Sequence, residues 1–350
     1  MQHYFDQLAP ALRERILGSL YGGAVGDALG APVEFMSHAE IIQHLGPAGV
    51  TRFEQAPAPI TDDTQMTLFT LEGINDWLAQ PDSTLHVCIG RAYQRWLFTQ
   101  TGQMIALQRS ELTSLASHQL LCQQRAPGHT CLSALASKRH PGEMACNHSK
   151  GCGGVMRVAP LGWLGAAQNW PLLNCWQAGC DSAALTHGHP LGQTAAGAMA
   201  VMVQLLCMGI DIPQAIDTLL SLVQRQQAPA ALCELLHAAA TLPARPTLPR
   251  SLGEGWIAEE ALAIGLYCAR HASDFAAGLR MAVNHDGDSD STGSICGQLL
   301  GACLGLQAIA PDWRNAMDIS PLLQQWAESS DRAACIAPGS ITRGKPTLPF

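Results

Sequence analysis

Apolar side chains recur at helical spacing along most of the chain. Leu12, Ile16 and Leu20 share one face of a first predicted helix, and the glycines after them are expected to end it. The same spacing predicts later helices around Leu68 to Leu78, Val87 to Trp96, Gly192 to Met208, Ile212 to Val223, Ala230 to Ala240, Ile257 to Arg270, Phe275 to Val283 and Thr292 to Ile309. Alternating runs of Val, Ile, Thr and Tyr are almost absent, so few strands are expected. The pattern predicts an all-α fold.

Breaks in this pattern mark predicted loops rather than domain boundaries. Gln124 to Gly154 and Leu242 to Gly255 are richer in Pro, Gly and polar residues, which favours loops. Residues 1–10 are interpreted as an N-terminal extension, and residues 337–350, with three prolines, as an extended tail. Neither an interdomain linker nor an internal repeat is evident, so residues 1–350 are expected to form one domain.

Two stretches without Asp, Glu, Lys or Arg have about the length of a membrane helix: Leu191 to Ile210 and Ser291 to Pro311. Neither has basic flanks, and both contain Gln. Small residues at helix-contact spacing, such as Gly297, Gly301 and Gly305, would let helix axes approach closely. Buried central helices are therefore expected, and no membrane partner.

Composition narrows the function classes. The chain has 350 residues, of which 47% are hydrophobic and only 14% charged, with a formal net charge of −8. This balance argues against a nucleic-acid binder with a basic face. The 13 cysteines include no C-x-x-C pair, and several lie in apolar helical stretches, which is typical of a reducing compartment. No signal peptide is apparent at the N-terminus, and we expect a cytoplasmic location.

Two short acidic clusters carry the main chemical signal. One is Thr61 to Thr64, with the sequence TDDT, and the other is Gly287 to Thr292, with the sequence GDSDST. Carboxylates gathered at one point repel each other, so they need a cation between them or protons on them. Oxygen donors suit Mg²⁺, Mn²⁺ or Ca²⁺ better than zinc or copper. If the fold joins the clusters, they make a two-metal site of the kind used in hydrolysis.

Helix capping is the competing interpretation, because Asp, Ser and Thr are common N-cap residues. A cap needs only one such side chain, whereas each cluster offers several. The second cluster also follows the polar run Asn284 to Asp286. The pair of clusters favours a metal site.

Three further segments are candidates. Gly22 to Phe35 is rich in glycine and places Asp27 and Glu34 among apolar neighbours, where a carboxylate is either paired or functional. Ser149 to Arg157, with the sequence SKGCGGVMR, could cradle a pyrophosphate with backbone N–H groups or be a plain turn. Thr186 to Pro190 places two histidines before a helix. Ring stacking or a hydrogen bond to substrate suits them better than zinc.

Together these motifs resemble the ADP-ribosylglycohydrolase family, which is named for the enzyme that reactivates dinitrogenase reductase. The matching pieces are GGAVGDALGAPVEF, TDDTQMT, KGCGGVMRVAP, ALTHGHPLG and GDSDSTGSICGQLLGACLG, in the family's order and over nearly the whole chain. The resemblance implies a compact, single-domain orthogonal helical bundle with a binuclear Mg²⁺ or Mn²⁺ site.

The resemblance also implies roles for individual residues. The implied metal ligands are Thr61, Asp62, Asp63, Asp288, Asp290 and Ser291. The implied substrate contacts are Asp27, Gly151, Cys152, Gly153, Gly154, Val155, Met156 and His187. Glu34 would lie on a flap over the substrate ribose, and Glu34, Asp63 and Asp290 are the candidate catalytic residues. The family often has Thr where Ser291 stands and Asn where Cys152 stands.

The implied reaction is removal of ADP-ribose from a mono-ADP-ribosylated protein, with arginine as the favoured linkage. Either Asp63 or Glu34 would take a proton from water or assist the leaving group. The diphosphate would be held by N–H groups and helix dipoles.

Two alternatives to a protein substrate stay open: a small ADP-ribose derivative such as O-acetyl-ADP-ribose, or a non-catalytic binding role. An immunity protein that reverses or blocks an ADP-ribosylating toxin is a further hypothesis, for which the aromatic start His3, Tyr4 and Phe5 could dock on the toxin.

Overall fold

The computed structural model describes residues 8–80 and 82–333, with side chains described as far as residue 327. In chain order its α-helices are α1 (Pro10–Gly30), α2 (His38–Leu45), α3 (Asp62–Ala79), α4 (Leu85–Thr101), α5 (His129–Ala136), α6 (Ala159–Ala167), α7 (Leu172–Ala184), α8 (Pro190–Cys207), α9 (Ile212–Arg225), α10 (Ala230–Thr241), α11 (Ala258–His271), α12 (Phe275–Val283), α13 (Ser289–Leu304), α14 (Pro311–Ala316) and α15 (Ser320–Ala333). Short 3₁₀ turns occur at Ala31–Val33, Arg109–Glu111, Leu115–Ser117, Cys152–Gly154, Arg250–Leu252 and Leu306–Ala308. The described residues contain isolated β-bridges but no strand. The predicted all-α fold is confirmed.

Helices α1 and α13 cross the centre of the molecule in antiparallel backbone contact. Glycines repeat every four residues on both contacting faces, so no side chain separates the two backbones. A Cβ on Gly22 would lie 2.2 Å from the carbonyl oxygen of Gly297, and one on Gly26 only 2.0 Å from that of Gly293. This contact sets the N-terminus of α13 against the C-terminus of α1. The segment with Glu34, which follows α1, and the second acidic cluster, which begins just before α13, therefore lie side by side.

The glycines after Leu20 do not end the first helix, as the sequence analysis expected. The helix α1 continues without interruption to Gly30, and its residues from Ile16 onward are buried. The glycines are spaced for contact with α13 instead of forming a turn. The prediction of a helix end was wrong because glycine costs helix stability only when no tertiary contact compensates for it.

The two charge-free stretches form central helices. Pro190–Cys207 is the one helix among the described residues that is long and apolar enough to cross a membrane, and 83% of it is buried inside the protein. The core helix of a folded globule meets the same length and composition criteria. Helix α8 packs chiefly on α7 and α6, and α13 packs on α1, α11 and α12. The expectation of buried central helices is confirmed.

Other differences from the predicted elements are local. The stretch Gln124 to Gly154, expected to be a loop, contains the short helix α5, and Thr292 to Ile309 begins earlier and ends at Leu304. Gly305 ends it because its φ of 83° lies outside the helical region. Helices α2, α6, α7, α14 and α15 were not predicted.

The described cysteines are all free thiols. The tail predicted at residues 337–350 and the aromatic residues His3, Tyr4 and Phe5 lie outside the described residues.

Candidate metal centre

Both acidic clusters form helix N-termini. Thr61 is the N-cap of α3, and its hydroxyl accepts the N–H of Asp63 at 3.3 Å. Asp288 is the N-cap of α13, and its Oδ1 accepts the N–H of Ser291 at 3.2 Å. The capping interpretation is therefore correct, but capping uses only one side chain of each cluster. The positive ends of both helices also favour negative charge at this point.

The fold brings the two clusters together. The hydroxyl of Ser291 on α13 lies 3.5 Å from Oδ2 of Asp63 on α3, although 228 residues separate them in sequence. One carboxylate oxygen from each of Glu34, Asp288 and Asp290 lies within 4.8 Å of the others. Residues predicted to bind metal thus meet across the two clusters, and Glu34 lies directly beside Asp288 and Asp290. Their roles as ligands stay a prediction.

Asp27 holds the first cluster in place. Its Oδ1 and Oδ2 accept the backbone N–H of Thr61 at 2.9 and 3.0 Å, and Oδ2 also accepts the N–H of Thr64 at 3.1 Å and the Thr64 hydroxyl. Asp27 is fully buried in the last turn of α1. Its carboxylate oxygens are thus engaged by α3, which makes Asp27 a positioning residue. A substrate contact for Asp27 stays a prediction.

The carboxylates lack a compensating cation within the part of the chain that the structure describes. No Lys, Arg or His nitrogen lies within 4.0 Å of Asp62, Asp63, Asp288 or Asp290, all of which are at most 5% exposed. Oδ1 of Asp63 is buried and has no hydrogen-bond partner. Such an orphaned oxygen is costly unless something binds it.

Burial and mutual repulsion also shift the protonation equilibria. Burial, followed by the charge of Asp290, raises the pKa of Glu34 to about 8 and that of Asp27 to about 7. Burial raises the pKa of Asp62 and Asp63 well above the usual range. Divalent cations with oxygen preference fit this donor set, because they offset the repulsion and bind the orphaned oxygen.

The glycine-rich loop lies against the second cluster. Sγ of Cys152 lies 2.8 Å from Oδ2 of Asp288, at the start of the 3₁₀ turn Cys152–Gly154. Gly151, Cys152 and Gly153 are partly exposed, whereas Gly154, Val155 and Met156 are buried. The carbonyl of Met156 accepts the Gln298 side chain at 2.7 Å, which fastens the loop to α13. Substrate contacts for this loop stay predictions.

His187 lies against the loop, and its predicted contact with substrate stays a prediction. A Cβ on Gly153 would come within 3.3 Å of its ring and one on Gly151 within 3.5 Å of Nε2. Burial, aided by the charge of Arg157, lowers the pKa of His187 to about 3, so the ring is neutral.

An aromatic pair spans the mouth of the site. The rings of Phe35 and Trp256 are stacked, with centroids 5.7 Å apart and an interplanar angle of 18°. The Phe35 side chain is 79% exposed, and the carbonyl of Trp256 accepts the N–H of Cys152 at 3.3 Å. The pair therefore links the Glu34 segment to the glycine-rich loop.

Sequence reasoning did not single out Phe35, Trp256, Thr64 or Arg157 as functional candidates. Arg157 ends the loop motif, so an arginine three residues after the last glycine and among apolar neighbours was a usable signal. Phe35 and Trp256 are far apart in sequence, and no local pattern could pair them.

The chain was compared with known proteins. The sequence profile of the family described as ADP-ribosylglycohydrolase matches residues 8–338. This match covers nearly the whole chain and includes both acidic clusters, the glycine-rich loop and His187. The chain belongs to the ADP-ribosylglycohydrolase family. Its resemblance to that family is thereby confirmed, and so is the expectation of an ADP-ribosylglycohydrolase activity.

Individual ADP-ribosylglycohydrolase relatives agree with this assignment. The chain is 27% identical over 322 residues to the ADP-ribosyl-[dinitrogen reductase] glycohydrolase of Rhodospirillum rubrum, covering 89% of this chain and 92% of that protein. It is 25% identical over 335 residues to the uncharacterized protein YegU of Escherichia coli, covering 87% and 92%. A solved structure titled ADP-ribosylglycohydrolase-related protein complex superposes with a TM-score of 0.62 at 25% identity, covering 93% of this chain and all of that one.

Proposed function

We propose that this ADP-ribosylglycohydrolase removes ADP-ribose from a mono-ADP-ribosylated protein, with arginine as the modified residue and two Mg²⁺ or Mn²⁺ ions at the acidic site. One observation carries the proposal. The N-termini of α3 and α13 bring two groups of buried carboxylates together, and Oδ1 of Asp63 among them has no hydrogen-bond partner. The Rhodospirillum rubrum relative, whose name states an ADP-ribosylated protein substrate, supports the substrate class.

The residues that would hold the ions are those of the two clusters: Thr61, Asp62, Asp63, Asp288, Asp290 and Ser291. Bound there, divalent cations would supply Lewis acidity and a means of orienting ribose hydroxyls and a water molecule. The protein's own contribution is the fixed arrangement of oxygens. Asp27 prevents the α3 cluster from moving away, and the glycine contacts between α1 and α13 hold the second cluster opposite.

Cleavage of the bond at C1″ develops positive charge on the ribose, which nearby carboxylates would stabilise. Glu34 and Asp63 are the candidates for transferring the proton. Glu34 follows the turn Ala31–Val33 and is partly exposed, whereas Asp63 is only 2% exposed. Glu34 is thus the more accessible to a substrate, and Asp63 the more deeply placed in the cluster.

The decisive experiment measures ADP-ribose release from an arginine-ADP-ribosylated protein with Mg²⁺ or Mn²⁺ and then with EDTA. We expect cation-dependent release by the wild type and none by Asp290→Ala. Asp217→Ala, on an exposed face of α9, is the matched control and should keep full activity. Release that persists in EDTA or in Asp290→Ala would refute the proposed site.

Comparison of Glu34→Gln with Asp63→Asn separates the roles of the two candidates. If Glu34 acts on the substrate alone, Glu34→Gln should lose activity but keep the thermal stabilisation by Mg²⁺. Asp63→Asn should lose both. Loss of Mg²⁺ stabilisation in Glu34→Gln would identify Glu34 as a ligand instead. If the wild type releases nothing from arginine, the proposed linkage is wrong, and serine-linked protein and O-acetyl-ADP-ribose become the next substrates to test.

A further inference from the structure

Arg157 is a fully buried cation that directly follows the glycine-rich loop. Its guanidinium carbon lies 4.3 Å from the centroid of the Tyr93 ring, and Nη2 donates to the Thr186 hydroxyl at 2.6 Å and to the Ser182 carbonyl at 3.3 Å. Within the described residues, no carboxylate lies within 4.0 Å of its nitrogens. A guanidinium can only donate hydrogen bonds. The oxygen of Thr186 must therefore act as the acceptor.

The hydroxyl proton of Thr186 has three neighbouring acceptors. They are Nδ1 of His187 at 2.8 Å, the carbonyl oxygen of Ala183 at 3.4 Å, and the sulfur of Cys131, which is only a weak acceptor. That carbonyl already accepts the backbone N–H groups of Thr186 at 3.0 Å and His187 at 2.8 Å, which uses both of its lone pairs. The hydroxyl proton is thus directed to Nδ1 of His187.

A ring that accepts at Nδ1 and is neutral must carry its proton on Nε2. Nε2 of His187 has no hydrogen-bond partner among the described residues. It lies beside Gly151 and Gly153. A Cβ added to Gly151 would be 3.5 Å from Nε2, and one added to Gly153 would be 3.6 Å from it. The free N–H therefore borders the partly exposed end of the glycine-rich loop.

We propose that Arg157, acting through the Thr186 hydroxyl, holds His187 as the Nε2–H tautomer, so that the ring donates a hydrogen bond to a phosphate or ribose oxygen of the bound ADP-ribosyl group. Arg157 and Thr186 are positioning residues, and only His187 touches the ligand. The identity of that ligand rests on the proposed function, whereas the tautomer does not.

The tautomer is measured by two-bond ¹H–¹⁵N NMR correlation on histidine-labelled protein at neutral pH, without ligand. We expect the wild type and Thr186→Ser, which keeps the hydroxyl, to show His187 protonated at Nε2. Thr186→Val removes the hydroxyl and should give a substantial Nδ1–H fraction. Arg157→Lys, which still only donates, should resemble the wild type, and Arg157→Met should shift towards Nδ1–H. A wild-type ring protonated at Nδ1 or at both nitrogens would overturn the proposal, as would an unchanged tautomer in folded Thr186→Val.

Calorimetric titration with ADP-ribose and Mg²⁺ tests the ligand contact. Thr186→Val should bind about tenfold more weakly than the wild type, as expected for one lost hydrogen bond to a polar ligand, and Thr186→Ser should restore the affinity. Equal affinity in Thr186→Val and the wild type would refute the contact. A wild type that does not bind ADP-ribose would refute the proposed function, while the NMR result would still decide the relation of Arg157, Thr186 and His187.

Discussion

The carboxylate of Asp27, in the last turn of α1, accepts the backbone N–H of Thr61 at 2.9 Å and so fixes the start of α3. The two residues are 34 positions apart in sequence. Because Thr61 opens the first acidic cluster, this contact sets where that cluster stands relative to the second. A residue that touches none of the predicted ligand oxygens of α13 thus controls the geometry of the site.

Asp27→Asn should disturb α3 without a change in side-chain size. The amide NH₂ cannot accept, so at least one N–H of Thr61 or Thr64 loses its acceptor. We expect a loss of about 1.5–3 kcal/mol in the free energy of unfolding, as for a buried hydrogen bond to a charged group. Urea denaturation measures this loss. Thermal stabilisation by Mg²⁺ should fall as well, whereas Asp217→Asn should match the wild type in both measurements. Unchanged stability would show that Asp27 does not hold the helix.

Gly26→Ala should destabilise the contact of α1 with α13. Its Cβ would lie 2.0 Å from the carbonyl oxygen of Gly293, a backbone atom that cannot rotate away. We expect unfolding to become easier by about 2–3 kcal/mol despite the better helix propensity of alanine. In Gly192→Ala, on α8, the added Cβ meets its nearest atom at 3.3 Å, so thermal unfolding should show a much smaller loss. Equal effects of the two variants would contradict the proposed close packing.

Phe35→Ala should weaken substrate binding more than chemistry. The stack of Phe35 on Trp256 covers the mouth of the site, and Phe35 itself lies outside the acidic cluster. Aromatic pairs contribute about 0.5–1.5 kcal/mol, so KM should rise by up to about tenfold with kcat changed less. Steady-state hydrolysis of the ADP-ribosylated protein measures both constants. Phe35→Trp keeps a stacking ring and should retain most of the affinity. A fall in kcat with KM unchanged would argue against this role.

His187→Gln should alter how stability depends on pH. Burial lowers the pKa of His187 to about 3 in the folded protein, against about 6.5 when unfolded. As the pH falls below about 6.5, the unfolded chain gains a proton that the folded chain does not, and stability is lost. The wild type should lose about 2 kcal/mol from this residue between pH 7 and pH 5, and His187→Gln should not. Urea denaturation at several pH values measures how the free energy of unfolding depends on pH in each protein. The same pH dependence in the wild type and His187→Gln would contradict the prediction.

Local pattern determined much of the fold. The apolar periodicity was sufficient for helices such as α9, α10, α11 and α12, because each keeps an apolar face over several turns. It missed the second half of α1, after Leu20, where buried glycines and apolar residues surround the helix on all sides and leave no periodic contrast. Short helices such as α2 and α5, with eight residues each, offer too few turns for a pattern to be recognised.

The sequence by itself determined the chemical inventory: two groups of carboxylates and hydroxyls before helices, a glycine-rich loop, a histidine pair, and motifs in the order of one family. Only the tertiary structure decided which atoms meet. The 4.8 Å grouping of Glu34, Asp288 and Asp290 depends on the glycine-to-glycine contact of α1 and α13. The pairing of Phe35 with Trp256 and the direction of the His187 ring follow from packing between distant segments. The physical reason is that a short motif fixes the chemistry of its own residues, whereas the distance between two motifs depends on every helix packed between them.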